Sequence, residues 1–383
     1  MIMNKIKILH IIKSLGRGGA EMLLPETLKL HNKDVFEFHY IYFLPWKYQM
    51  VQSIKDSGGI VNCFDSKNNL RLILQYNRII NYCNENKIDL IHCHLPWAGF
   101  VGRIVHKMTG IPLIYTEHNM QERYHLATKQ INKYSFNLQS LALGVSADVS
   151  HSINKNIKPE IPVKTLLNGV NTQSFKKTGE SQIKSELEIP SNAIVIGNVA
   201  VFRFQKRLVE WLQVFKKIRE TNSNVYGIIV GAGPLEEEIK KEWKELGLEG
   251  VVFFPGLKTD VKPYFEAMDI FMMSSSFEGL PIALLEAMSM ECAVVSTDAG
   301  GIKEVIRNQE DGLICPVEKW IELSNLVQIL IDEPNTLDKY KHAARKRVME
   351  AFSMNRMVGE LEEYYLQVLV HKGDRSTFCS LNF

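Results

Sequence analysis

Two glutamates, Glu278 and Glu286, lie on either side of a Gly-Leu-Pro turn in the segment FEGLPIALLE. Pro281 suits the first position of a helix, where its missing N–H costs no hydrogen bond. We therefore expect Glu278 in a loop and Glu286 in the second helical turn. Free N–H groups at a helix start attract anions, and carboxylates accept hydrogen bonds from hydroxyls. The pattern fits an elongated ligand with hydroxyls at both ends and an anion between them, such as a nucleoside diphosphate sugar. Two incidental acids on a helix are the alternative.

Two cations follow the apolar run 193–200, where Arg203 and Lys206 stand three positions apart. A guanidinium offers a fork of donors and an ammonium offers a point charge, and both suit a diphosphate. A solvated basic loop is the alternative, and it is the reading that fits the neighbouring Arg207.

A glycine-rich turn, LGRGGAE at 15–21, follows the first apolar run of the chain. Gly18 and Gly19 allow the backbone to approach a ligand closely, and we expect Glu21 to begin a helix whose N–H groups attract an anion. An ordinary strand-to-helix turn is the alternative. A second turn, VGAGPLEEEIK at 230–240, matches neither the dinucleotide fingerprint nor the Walker A pattern, so we interpret it as structural.

Histidines end two further runs. YTEHN places His118 after a strand, where a ligand contact and a structural role are both open. IHCH places His92 and His94 on one strand face, with Cys93 on the other. No further ligand with suitable spacing lies nearby in the sequence, so we predict strand packing and no metal site.

Short apolar runs alternate with amphipathic stretches, which predicts parallel sheets covered by helices on both faces. The pattern occurs twice, and the polar stretch 168–182 between the two copies resembles a linker, so we place the domain boundary near residue 175. Ligands bind at the carboxyl ends of such strands, and two facing domains would leave a cleft there. The runs are 7–12, 38–43, 58–64, 88–94, 112–118 and 141–146, then 193–200, 225–231, 251–254, 269–274, 292–297 and 312–315.

Composition indicates a globular protein: 45% of the 383 residues are hydrophobic, 23% are charged and the net charge is +2. No apolar run approaches the roughly 18–20 residues of a membrane span. The six cysteines show no regular spacing, as expected for reduced thiols in the cytoplasm. Charge is uneven, because residues 1–175 are basic and the remainder is acidic, which allows contact with an anionic surface.

Together these motifs resemble the family-four retaining glycosyltransferases, which have the GT-B fold of two facing Rossmann-like doubly wound domains with an interdomain cleft. The resemblance covers nearly the whole chain and is strongest over 253–306, where Glu278 and Glu286 form the E-x7-E signature. It implies a domain of residues 1–175 on the acceptor side and a nucleotide-sugar domain of residues 176–354. A helix at 355–370 would pack back on the first domain, and a loose tail would occupy 371–383.

The resemblance also implies roles for single residues. His118 would lie beside the transferred sugar, Arg203 and Lys206 would grip the diphosphate, and Glu286 would hold the ribose. The remaining implied donor contacts come from the backbones of Gly18 and Gly19, from Glu278, and from the amides of Gly279, Leu280 and Ile282. The family's basic motif has its arginine about five residues before the lysine, where this chain has Val201.

The expected activity is metal-independent transfer of a sugar from a nucleoside diphosphate sugar, with uridine expected from the family. The sequence has no DxD motif for a metal, and cations with helix N-termini could supply the positive field instead. A nucleotide-sugar epimerase is the runner-up and a non-catalytic partner subunit is a third reading. A glycan phosphorylase is weakened because the sequence shows no motif for a pyridoxal-phosphate lysine.

The sequence says less about the acceptor than about the donor. The stretch QERYHLATKQINKYSF at 121–136 is basic and aromatic and could rest on anionic lipid, although an ordinary surface helix is an equal alternative. Contact with lipid would suit a glycan or lipid-linked glycan acceptor at the inner face of the cytoplasmic membrane, as in surface polysaccharide synthesis. We expect no nucleic-acid partner.

Overall fold

The computed structural model describes residues 5–370 and divides them into two compact units. One unit contains residues up to Asn168 together with those from Met354, and the other contains Gly169–Ser353. The change between units thus falls seven residues before the position expected from the sequence. The tail at 371–383 lies outside the described residues.

Each unit is built on one parallel sheet, and the expected pair of doubly wound parallel-sheet domains is confirmed. The sheet orders are β3-β2-β1-β4-β5-β6-β7 in the first unit and β10-β9-β8-β11-β12-β13 in the second. The strands are β1 Ile6–Ile12, β2 Phe36–Tyr42, β3 Ile60–Cys63, β4 Leu90–His94, β5 Leu113–Glu117, β6 Leu141–Gly144, β7 Val163–Thr165, β8 Ile194–Val199, β9 Val225–Val230, β10 Val252–Gly256, β11 Ile270–Met273, β12 Ala293–Thr297 and β13 Leu313–Cys315.

Helices fill the connections between the strands. They are α1 Gly19–Leu30, α2 Val51–Asp56, α3 Asn69–Leu74, α4 Tyr76–Asn86, α5 Pro96–Thr109, α6 Leu126–Ser135, α7 Ala147–Ile157, α8 Ile183–Glu186, α9 Leu208–Thr221, α10 Glu236–Glu245, α11 Lys262–Ala267, α12 Ile282–Ser289, α13 Ile302–Val305, α14 Leu323–Asp332, α15 Pro334–Ala351 and α16 Met354–Val370. Among the described helices, none is long and apolar enough to cross a membrane.

The central strands are buried because helices cover both faces of each sheet. Strands β4, β5, β11 and β12 are buried at every residue. Helix α9 shows the matching pattern, since Leu208, Trp211, Leu212, Phe215 and Ile218 all face the core at helical spacing. The order of each sheet reverses once, between β1 and β4 and between β8 and β11, and loops diverge at those two points.

The last helix, α16, belongs to the first unit. Glu362 on α16 accepts a hydrogen bond from the backbone N–H of Asn32 and contacts His31 Nδ1, both at 2.8 Å. Tyr365, fully buried on the same helix, reaches His92 on β4 with its hydroxyl. The polypeptide therefore returns to its first sheet after completing the second.

Candidate functional site

The loops after β8 and β11 join Lys206 to Glu278 at the reversal point of the second sheet. The Lys206 ammonium lies 2.6 Å from Glu278 Oε1. The same oxygen accepts a hydrogen bond of 2.6 Å from the hydroxyl of Ser275. Only 20% of the Lys206 side chain and 10% of the Glu278 side chain are exposed. Two residues that the sequence placed in separate motifs thus form one charged pair.

Hydroxyl groups that the sequence analysis did not single out hold these loops together. Ser274 Oγ donates to the backbone carbonyls of Lys206 and Arg207, at 3.1 and 2.7 Å. Thr297, at the end of β12, donates to the carbonyl of Ser275 at 2.6 Å. The only available signal was the Ser-Ser-Ser run directly after β11, a position where ligand-binding loops begin.

The backbone of the loop after β12 is in direct contact with the backbone of the loop that carries Glu278. Gly300 has a φ of +54°, and a Cβ atom there would overlap the carbonyl of Glu278. The neighbouring Gly301 N–H donates to the carbonyl of Gly279 at 3.1 Å. Glycine is required at 300 both for the left-handed backbone and for the close approach. The sequence did not lead us to expect this contact with the Glu278 loop, although the paired glycines after a strand could have indicated it.

Helix α12 begins one residue later than expected. Pro281 is the N-cap, with φ −74° and ψ 116°, and Ile282 is the first helical residue, so the expectation that Pro281 occupies the first helical position is wrong. Glu286 is buried in the second turn, as the spacing predicted. The backbone N–H groups of Gly279 and Ile282 make no hydrogen bond within the described residues, as is usual for groups at a helix start. Leu280 is buried between them.

Arg203 and Arg207, the other two basic residues of the loop after β8, differ in exposure and in hydrogen bonding. Arg203 is exposed, and its side chain makes no ion pair or hydrogen bond within residues 5–370. Arg207 does not fit the expected solvated basic loop, because its guanidinium bonds Glu210 Oε1 at 2.8 Å and the Val317 carbonyl at 3.1 Å. Arg207 therefore fixes the loop, whereas Arg203 is available to a ligand.

The glycine turn at 230–233 is structural, as interpreted from the sequence. Gly231 has a φ of +139°, and a side chain there would overlap the carbonyl of Ala200. A side chain at Gly233 would overlap the backbone of Phe202. This turn therefore packs against the backbone of the loop after β8, at Ala200 and Phe202.

In the first unit, the turn after β1 differs from expectation at Glu21. Helix α1 begins at Gly19, two residues before Glu21, and Gly18 is its N-cap. The Glu21 carboxylate accepts a hydrogen bond of 2.9 Å from Ser14 Oγ and lies directly over Gly18. The chain's own carboxylate thus occupies the end of α1 that was expected to attract an anion.

His118 follows a buried carboxylate that organises its loop. Glu117 accepts hydrogen bonds from the hydroxyls of Tyr115 and Tyr124, at 2.7 and 2.5 Å, and from the Gln121 amide at 2.7 Å. It also accepts from the backbone N–H groups of His118 and Asn119, at 3.0 and 3.2 Å. Burial raises the pKa of Glu117, and the hydrogen bonds from Tyr124, Tyr115, Asn119 and Gln121 oppose that effect. Hydrogen bonds to the buried Glu117 carboxylate therefore fix the loop that carries His118.

Four histidines meet beside a cavity of about 30 Å³ in the first unit, namely His10, His92, His94 and His118. Burial lowers the pKa of His92 to about 3 and that of His118 to about 4. It also lowers the pKa values of His10 and His94 well below the ordinary range. All four imidazoles are consequently neutral at pH 7.

The sequence shows no third ligand near His92 and His94, but the structure brings one from a distant strand. A third histidine, His10 on β1, does lie close to His92 and His94, with one ring nitrogen of each within 4.8 Å of the others. These nitrogens are, however, hydrogen-bonded to one another or to neighbouring hydroxyls. The arrangement in the structure is a hydrogen-bond network.

Comparison with known proteins places the two units in two described families. The family "Glycosyltransferase Family 4" matches residues 22–174, and the family "Glycosyl transferases group 1" matches residues 180–347. These two matches together span most of the chain.

Individual relatives are similar over nearly their full length. UDP-Gal:alpha-D-GlcNAc-diphosphoundecaprenol alpha-1,3-galactosyltransferase of Escherichia coli is 21% identical over 396 residues, covering 96% of this chain and 99% of the relative. The capsular polysaccharide biosynthesis glycosyltransferase CapH of Staphylococcus aureus is 24% identical, covering 94% and 99%. HepE of Anabaena, solved with UDP and glucose, superimposes with a TM-score of 0.84 at 20% identity, covering 94% and 100%. The chain belongs to the group 1 glycosyltransferases and has their GT-B fold.

Proposed function

We propose that this chain is a retaining glycosyltransferase that moves a sugar from a UDP-sugar to a glycan or lipid-linked glycan in surface polysaccharide synthesis. The observation that carries this proposal is the Lys206–Glu278 pair at the reversal point of the second sheet. The solved HepE structure contains UDP and glucose. The Escherichia coli relative is named for UDP-Gal and for an acceptor linked to diphosphoundecaprenol.

The second unit would stabilise the leaving diphosphate. An ammonium has three donors, and Glu278 takes one from Lys206, so two remain for phosphate oxygens. Arg203 would add a second positive charge from the exposed edge of the same loop. Negative charge grows on the phosphate as the bond to the sugar breaks, and fixed cations then bind it more strongly than they bind the ground state. Glu286 would accept hydrogen bonds from the ribose hydroxyls.

The amides of Gly279, Leu280 and Ile282 would contact the sugar and phosphate, because they lie at the start of α12. In the first unit, His118 would lie beside the sugar, and the backbones of Gly18 and Gly19 would approach the diphosphate. The Glu21 carboxylate over Gly18 must then turn away, because two anions repel each other at short range.

Binding and turnover test this function directly. Calorimetry should detect uptake of UDP, and Lys206→Ala should lower kcat/KM at least about tenfold, since a charged contact to a developing anion contributes several kcal/mol. Lys241→Ala, at an exposed lysine on α10, is the matched control and should leave kcat/KM unchanged. Folded protein that takes up neither UDP nor GDP would contradict the proposal. Release of an epimerised sugar nucleotide without an acceptor would favour an epimerase instead.

Metal independence is part of the proposal. Lys206, Arg203 and the amides at α12 would supply the positive field that a divalent cation supplies in other enzymes. Transfer should therefore continue in excess EDTA. Activity that EDTA abolishes and manganese restores would overturn this part.

We also propose that α6 rests on the anionic inner face of the cytoplasmic membrane. Leu126 and Tyr134 are 79% and 83% exposed, and Ile131 is exposed as well. The helix carries Lys129 and Lys133 and no acidic residue. An exposed apolar stripe flanked by lysines is typical of helices that lie in the interface of an anionic bilayer.

Vesicle sedimentation tests the membrane contact. The protein should sediment with phosphatidylglycerol vesicles and remain in solution with phosphatidylcholine vesicles. The variant carrying Leu126→Glu and Tyr134→Glu should lose this binding, whereas Leu70→Glu, at an exposed leucine on α3, should retain it. Equal sedimentation of all three proteins would exclude α6 as the contact.

A further inference from the structure

The rings of His10, His94 and His118 form a row in the first unit. His10 Nδ1 lies 2.9 Å from His94 Nε2, and His94 Nδ1 lies 3.4 Å from His118 Nε2. The ring centroids of these two pairs are 5.2 and 5.7 Å apart. In each pair the distance between centroids exceeds the distance between the two nitrogens by about two ring radii. The nitrogens therefore point at each other along the line of centres, as hydrogen-bonded imidazoles do.

Tyr365 on α16 extends the row to a fourth histidine. Its hydroxyl lies 3.4 Å from His10 Nε2 and 2.8 Å from His92 Nδ1. The other nitrogen of His92 lies 2.7 Å from the hydroxyl of Thr116 on β5. One chain of hydrogen bonds thus runs from Thr116 through His92, Tyr365, His10 and His94 to His118.

Counting protons limits this chain to two states. A neutral imidazole donates one hydrogen bond and accepts one, and a hydroxyl has one proton to donate. A hydroxyl oxygen can also accept two hydrogen bonds, but if Tyr365 accepted from both His92 and His10, its own buried proton would have no acceptor within the described residues, which is costly. With that proton used, all the protons point towards His118 or all point away from it. The tautomers of the four histidines are coupled, because reversing one bond reverses every other bond.

Thr116 selects one of the two directions. Within the described residues its hydroxyl has His92 Nε2 as its hydrogen-bond partner and no other. The buried hydroxyl is satisfied as a donor only if it donates to that nitrogen, and an unused buried donor is costly. Every proton then points towards His118, whose Nε2 accepts from His94 and whose own proton is on Nδ1.

We propose that Tyr365 is a positioning residue that, through His10 and His94, fixes His118 as the Nδ1–H tautomer, so that it presents a donor to a substrate hydroxyl. The Nδ1 atom of His118 has no hydrogen-bond partner within residues 5–370, so this donor is available. The inference rests on the proposed function, in which His118 lies beside the transferred sugar. The lowered pKa values keep the four rings neutral, which the proton count requires.

Nitrogen NMR of the ligand-free protein tests the tautomer without any substrate. The full chain is labelled with ¹⁵N-histidine at pH 7, and the His118 signals are assigned with His118→Gln. Wild-type His118 should show a protonated Nδ1 and an unprotonated Nε2. A protonated Nε2 at His118 would overturn the proposal.

Tyr365→Phe removes the hydroxyl that joins the two halves of the chain. The His118 signals should move towards those of mixed tautomers, kcat should fall about tenfold, equivalent to 1.4 kcal/mol, and UDP affinity should stay unchanged. Tyr340→Phe, at a buried tyrosine of the second unit, is the control and should change none of the three. Unchanged His118 signals in Tyr365→Phe would contradict the proposal.

A second variant covers the case in which Tyr365→Phe does not fold. Thr116→Val preserves the shape of the side chain and removes the proton that sets the direction, so His118 should again show mixed tautomers. A protein that binds no UDP would refute the proposed function, whereas the ring signals decide the tautomer independently.

Discussion

The Lys206 ammonium and the Glu278 carboxylate are the residues whose chemistry depends most closely on each other. They are 72 positions apart in the chain and 2.6 Å apart in space. Glu278 neutralises part of the charge that Lys206 would offer to a phosphate, and it also fixes the direction of the ammonium. A carboxylate that orients a cation contributes to preorganisation, because the cation then needs no reorientation during the reaction.

Glu278→Gln tests that dependence. The amide has nearly the same shape but neither the charge nor the second acceptor oxygen, so Lys206 should lose its fixed position. We expect kcat/KM to fall about 10- to 100-fold, a range usual for the loss of one preorganised electrostatic contact. In a double-mutant cycle with Lys206→Ala the two losses should be far from additive, because the residues act as a unit. Strict additivity would show that the two side chains act separately.

The buried Glu117 carboxylate should contribute to the stability of the fold through its hydrogen bonds. In Glu117→Gln the new NH₂ group must face donors that now point at a carboxylate oxygen, so at least one buried donor loses its acceptor. We expect the free energy of unfolding to fall by about 1–3 kcal/mol. Urea denaturation followed by circular dichroism measures this change. Glu160→Gln, at an exposed glutamate of the same unit, is the control and should have an unfolding midpoint equal to that of the wild type.

Individual residues were predictable where motif and strand position agreed. Lys206, Glu278 and His118 follow strands and Glu286 lies in the second turn of α12, as the sequence predicted, and their roles in a site stay predictions. Ser274 and Gly300 were not predictable in the same way, because their roles depend on loops from other strands meeting them. His10 was missed for a related reason: its partners on β4 are more than 80 positions away in the chain.

At the scale of elements, the loop after β12 determines where the Glu278 loop lies. Gly300→Ala would introduce two separate costs, a strained left-handed φ and an overlap with the Glu278 carbonyl. Gly247→Ala separates them, because Gly247 has a φ of +63° with nothing within 4 Å of the added Cβ.

We expect Gly247→Ala to lower the free energy of unfolding by about 1 kcal/mol and to leave kcat/KM unchanged. Gly300→Ala should cost more than that and should also reduce kcat/KM, because it displaces Glu278. Thermal unfolding and steady-state kinetics on both variants measure the two effects. Equal behaviour of the variants would mean that the contact with Glu278 has no consequence for activity.

Elements were largely predictable because parallel strands buried on both faces are continuous apolar runs. Each of the predicted runs coincides with a strand, and the ends of the strand differ from those of the run by at most two residues. Strand β7, Val163–Thr165, was missed because it has three residues, lies at the sheet edge and is only partly buried. The start of α12 was misplaced by one residue, since proline is compatible with both the N-cap and the first helical position.

For the whole molecule, the repeated alternation of strands and helices predicted two parallel sheets, and the strand orders confirm them. Alternation alone does not show that the polypeptide returns to the first unit in α16. Helix α16 buries Met354, Met357, Val358, Leu361 and Tyr365. Hydrogen bonds also join it to the first unit, among them one that Glu362 accepts from the N–H of Asn32, after α1, and one between the Tyr365 hydroxyl and His92 on β4. Pairings of this kind leave no periodic signal in a sequence.

The buried histidines make the stability of the first unit dependent on pH. Below pH 6.5 the unfolded chain takes up protons at these imidazoles, whereas the folded chain does not, since burial lowers the pKa values of His92 and His118 to about 3 and 4. Protons therefore favour the unfolded state, and stability is lost as pH falls. Each such histidine costs about 1.4 kcal/mol per pH unit below its unfolded pKa. The raised pKa of Glu117 acts in the opposite direction, but it is one carboxyl against these four histidines and against His31 and His39, whose pKa values burial also lowers.

We accordingly expect the unfolding temperature of the first unit to fall steeply between pH 6.5 and pH 4.5, a window that lies mostly above the ordinary pKa values of carboxylates. His92→Gln should flatten the slope by about one proton, because it removes one of the four groups that must stay neutral. The exposed His125 provides the control, since His125→Gln removes a histidine that remains in contact with solvent. Calorimetry across the window measures all three proteins. An equal slope in His92→Gln and His125→Gln would show that the buried network is not what makes the fold sensitive to acid.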